Sequence, residues 1–64
     1  MESKEEMTNK LKERQEYFEK QVLACEEKCS YYSGRGRFPL AAAWKKDAEY
    51  FREVVQEIAK RLEA

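Results

Sequence analysis

The chain has sixty-four residues, 41% of them charged, with thirteen cations against thirteen carboxylates and no histidine. A formal net charge of zero means that no whole-molecule field draws it to nucleic acid, anionic membrane or cationic targets; such binding would need a local patch. At this length only ~60% of the unfolded surface is buried on folding, which leaves a marginal core for one small domain over 1–64.

The first element reads as a helix over about 4–33. Ser3 followed by Glu6 forms a capping box, and Glu5 adds acid where the helix end is positive. Leu11, Gln15, Phe18, Val22, Cys25, Cys29 and Tyr32 then follow at alternating steps of three and four, which is one stripe on a helix. Gln15 is the single polar interruption.

A bend over about 34–38 follows, "GRGRF", holding the only two glycines. Gly34 stands where a left-handed helix terminator belongs, and Gly36 adds freedom beside it. Pro39 suits the first turn of a second helix, over about 39–63. Its stripe is Ala41, Trp44, Ala48, Phe51, Val55, Ile58 and Leu62, and Lys60 and Arg61 place cations at the negative end. No repeat, linker or low-complexity tract divides the chain.

So short a connection makes the helices antiparallel. Pairing residues whose numbers sum to 73 sets Cys29 on Trp44, Val22 on Phe51 and Phe18 on Val55, alternating small with large. The same alignment puts Glu19 near Arg52, Glu26 near Lys45 and Lys28 near Asp47, with Arg14 and Arg61 as the one like-charge pair. Within helices, Glu6–Lys10, Glu16–Lys20 and Glu57–Arg61 have supportive i, i+4 spacing. The fold class is therefore all-α, a two-helix hairpin. A lone hairpin struggles to offset its conformational entropy, so completion as a four-helix bundle by homodimerisation is expected.

Two stretches invite a chemical reading. Cys25 and Cys29 form C-x-x-x-C on the core stripe, but zinc wants four ligands and no histidine is present. Buried free cysteines behave as small apolar residues, so no metal and no cofactor is expected. Arg35 and Arg37 in the bend, beside Tyr31, Tyr32 and Phe38, could grip phosphate and stack on bases. Two arginines supply little charge, and the string lacks the length and Lys-Ser/Thr of a phosphate loop. A small RNA- or DNA-binding dimer is the alternative reading. No catalytic residue is assigned, since two helices do not enclose the dry pocket that shifts a pKa.

With the stripes lettered a and d of a heptad, the e and b positions are mostly polar, among them Glu19, Glu26, Lys45, Glu49 and Arg52. The c and g positions carry Tyr17, Ala24 and Tyr31 on the first helix and Leu40, Tyr50 and Val54 on the second, with Met7 and Ala43 beside them. In an antiparallel pair both g edges fall on one side, so these residues form an apolar side suited to a protein partner. The expected function is a non-enzymatic interaction module, an adaptor, regulator or inhibitor. No apolar run approaches the ~20 residues of a membrane span, and the charged amino terminus lacks a signal peptide's apolar centre. A cytoplasmic chain with reduced thiols and no membrane contact is expected.

Overall fold

In a computed structural model, which describes residues 3–63, the chain is two α-helices, α1 (Lys4–Gly34) and α2 (Phe38–Glu63), packed as a hairpin. The rod they form measures 51 × 16 × 15 Å. Ser3 caps α1 as its sequence suggests. Its Oγ accepts the Glu6 N–H at 3.1 Å, and its carbonyl takes the Met7 N–H at 3.1 Å. The side-chain bond satisfies one of the N–H groups that an α-helix leaves without an internal partner, and the carbonyl bond is the first of the helix.

The turn is shorter than expected, Arg35 to Arg37, and its glycines exchange roles. Gly34 closes α1 with helical geometry, and Gly36 is the left-handed residue, at φ 75°. The Gly36 N–H donates to the Ser33 carbonyl at 3.1 Å and the Arg37 N–H to the Tyr32 carbonyl at 2.9 Å. That pair of bonds is a Schellman ending, which places its left-handed residue one position beyond the helical cap, here Arg35. Counting back from Pro39 locates it: the Arg37 carbonyl already accepts the first bond of α2, from Ala41 at 3.1 Å. Pro39 sits in that first turn, where a missing N–H is not needed.

All fourteen stripe residues are buried or half-buried, and outside the stripe only Thr8, Gln21, Glu26, Val54 and Ala59 are as well covered among the described residues. Among the described residues only Val22, Cys25, Ala41, Ala48 and Ile58 are buried, and none of the large side chains is covered completely. One layer of side chains between two helices explains the rest. Small residues vanish into it, while Phe18, Trp44 and Phe51 extend past its edge. Phe18 and Phe51 stack with centroids 5.8 Å apart. Phe51 thus meets Phe18, about a turn along α1 from Val22, its expected neighbour. Val22 and Val55 wall one recess, and Phe18 and Val54 another, within about a turn of the sum-73 alignment.

Two ion pairs differ from the expected ones. Arg52 pairs with Glu26 rather than Glu19, although Glu19 lines a recess with it. Glu57 takes Lys60 at 3.3 Å instead of Arg61. Long exposed side chains choose among several partners a turn apart, and each choice is worth only ~0.2–1 kcal/mol. Among the described residues, no helix is long and apolar enough to cross a membrane.

Candidate interaction surface

The two sides of the hairpin differ in what borders the helix–helix seam. Recesses on the e/b side are walled by the smaller a residues, Val22 with Val55 and Cys29 with Ala48. On the c/g side the larger d residues Leu11, Phe18 and Ile58 form the wall, with Val54 beside them. Bulk that the core layer does not hold is therefore displaced toward the c/g side. The heptad geometry causes this: in an antiparallel pair, d positions adjoin the g edges.

Five of the seven large hydrophobic residues exposed among the described residues stand on that side: Met7, Tyr17, Tyr31, Leu40 and Tyr50. Tyr17 and Tyr50 are exposed by 57% and 62%, so each has a ring in water that a partner could cover. Each also packs edge-on against its core neighbour, Tyr17 on Phe18 at 5.2 Å and Tyr50 on Phe51 at 5.6 Å. The rings are thus braced from below. Ala24 is exposed and Val54 half-buried, so Val54 is as much groove wall as surface. The candidate residues Tyr17, Ala24, Tyr31, Leu40, Tyr50 and Val54 are therefore brought to one side, and Val54 alone is partly covered.

The heptad pattern passes over two exposed residues on other sides. Leu23, exposed by 61%, is at a b position and lines a recess with Val22 and Val55; Phe38, exposed by 65%, opens α2. Leu23 interrupts a polar run, and that interruption is its one signal in the sequence. Surface area measures how far the hairpin as a whole departs from a compact shape. The structure exposes 5412 Å². A compact monomer of this mass would expose about 4,300 Å². The excess, roughly 1,100 Å², follows from the elongated rod, 51 × 16 × 15 Å.

In the bend, Arg35 lies over the Tyr31 ring with its guanidinium carbon 4.5 Å from the centroid. One face of Tyr31 is thereby occupied by a cation of its own chain. The two thiols are free, Cys25 buried and Cys29 half-buried. Burial, then the nearby Asp47 carboxylate, pushes the Cys25 thiol above its ordinary titration range. Among the described residues no cluster of three or more histidine, cysteine, aspartate or glutamate side chains could hold a metal ion. No protein family, no curated protein and no solved structure matches the chain.

Proposed function

We propose that this hairpin is a non-enzymatic protein-interaction module, an adaptor, regulator or inhibitor, and that it works through the c/g side. The observation that carries the reading is the gathering of Met7, Tyr17, Tyr31, Leu40 and Tyr50 on one side, exposed, above a wall of core residues. A cluster of exposed apolar and aromatic residues on one side marks an interaction site. On apolar burial alone a second copy of the chain is one candidate occupant, which would complete a four-helix bundle and couple association to folding.

The alternative through Arg35 and Arg37 has less support. Arg35 already lays its guanidinium on Tyr31, the ring best placed to stack on a base. Binding to single-stranded RNA that weakens steeply with salt and is lost in Arg35→Ala/Arg37→Ala would favour that alternative.

Affinity capture with variants tests the main reading. Val54→Glu with Tyr31→Glu should abolish capture of the partner, whereas Glu49→Lys on the opposite side should retain it. Equal capture by both variants would sink the assignment of this side. Sedimentation of the pure protein tests the second copy: a dimer converted to monomer by the first variant supports it, and a monomer at all concentrations excludes it.

A further inference from the structure

Charge selects the occupant of the c/g side, and the selection rests on the interaction reading above. Lys10, Arg14, Lys28 and Arg61 hold c or g positions, against Asp47 and Glu57. Glu57 is paired with Lys60, though it lines the same recess as Arg14 and Arg61. Arg14 and Arg61 share a recess at the open end of the hairpin with Lys10, over Met7 and Leu11. At the bend end the side carries Lys28 and the guanidinium of Arg35 on Tyr31. The e/b side is opposite in sign. Six carboxylates, at Glu5, Glu16, Glu19, Glu26, Glu49 and Glu63, stand there against Lys12, Lys45 and Arg52. A neutral chain thus has a positive apolar side and a negative polar one.

A second copy does not complement such a side. A two-fold axis along the rod sets open end on open end, bringing two sets of Arg14 and Arg61 together. An axis across the rod sets the open end on the bend, where Lys28 and Arg35 stand. Like charges meet at the rod's ends in both arrangements, offset only by Asp47 and Glu57, and like-charge juxtaposition at an interface disfavours a partner.

We infer that the c/g side is a groove for an acidic amphipathic helix of another protein. Its apolar stripe lies against Tyr17, Tyr50 and Val54, as in helix-in-groove recognition. A carboxylate near one end sits between Arg14 and Arg61, a guanidinium pair suited to forked hydrogen bonds. A second carboxylate, near the other end, faces Lys28 and Arg35. The span from Arg14 to Arg35 along α1 corresponds to a partner helix of about 20 residues, ~30 Å long.

The test uses the full chain and two labelled helical peptides of that length. Both carry leucines at three–four spacing; one has glutamates flanking the stripe, the other lysines. By fluorescence anisotropy the glutamate peptide should bind at least roughly tenfold more tightly than the lysine peptide. Arg14→Glu/Arg61→Glu, shown to be helical by circular dichroism, should reverse that preference, and Glu49→Lys should leave it unchanged. Equal binding of the two peptides, or a preference that the Arg14/Arg61 variant does not move, overturns the inference. So does tighter binding to phosphatidylserine vesicles than to the glutamate peptide. Sedimentation of the pure protein as a dimer that Val54→Glu/Tyr31→Glu dissociates overturns the acidic partner but leaves the interaction side standing. Mass that grows without limit as the c/g side meets the e/b side of the next copy overturns it as well.

Discussion

Phe51 shows how one side chain serves both the core and the surface. Its ring stacks on Phe18 across the seam and braces Tyr50 from below. Phe51→Ala should destabilise the hairpin by about 3 kcal/mol, the low end for a core phenylalanine because the ring is only half covered. Urea unfolding followed by circular dichroism measures it; a loss under about 1 kcal/mol would mean that the ring is not part of the core. Cys25 gives a pH prediction. Its folded-state pKa is raised, first by burial and then by Asp47, above the ordinary value of 9.0. The neutral thiol is favoured in the folded state, so this contribution is fully present below pH 9.0 and is lost as pH rises through the folded value. Thermal melts should therefore show an alkaline decline above that pH that is smaller in Cys25→Ala. Identical declines in both proteins would contradict the assignment.

Both helices are legible in the amino-acid sequence, because capping and periodicity are local. Ser3 with Glu6 marks the start of α1, Pro39 marks the first turn of α2, and the two stripes predict which fourteen residues are covered. The glycine roles are not legible in the same way, since Gly34 and Gly36 are equally good terminators until the hydrogen bonds of the turn are counted. A pair of substitutions separates them. Gly34 has helical geometry and open space where a Cβ would stand, so Gly34→Ala should stabilise by roughly 0.5–1 kcal/mol. Gly36 also has open space but sits at φ 75°, so Gly36→Ala should destabilise by about 1–2 kcal/mol. Opposite signs in thermal unfolding are expected; the reverse order would restore Gly34 as the terminator. Charge pairing is the least legible feature. Arg52 has Glu19 and Glu26 within reach, and Glu57 has Lys60 and Arg61, so spacing alone does not choose a partner.

At the scale of the whole molecule, two amphipathic helices with one shared layer leave their largest side chains half-covered, and the heptad letters decide on which side the excess emerges. The c/g positions of the candidate residues are readable from spacing. Their support by Phe18 and Phe51 is not, because it depends on which side the d residues border. Leu23 shows the limit from the other direction, an apolar residue on a charged side that the stripe pattern does not mention. Site-specific photocrosslinking in the cells that make the protein tests the central claim most directly. A benzophenone amino acid at Tyr50 should yield a covalent adduct of discrete mass, and the same group at Glu49, one residue away but on the opposite side, should yield none. Adducts from Glu49 without any from Tyr50 would contradict the account.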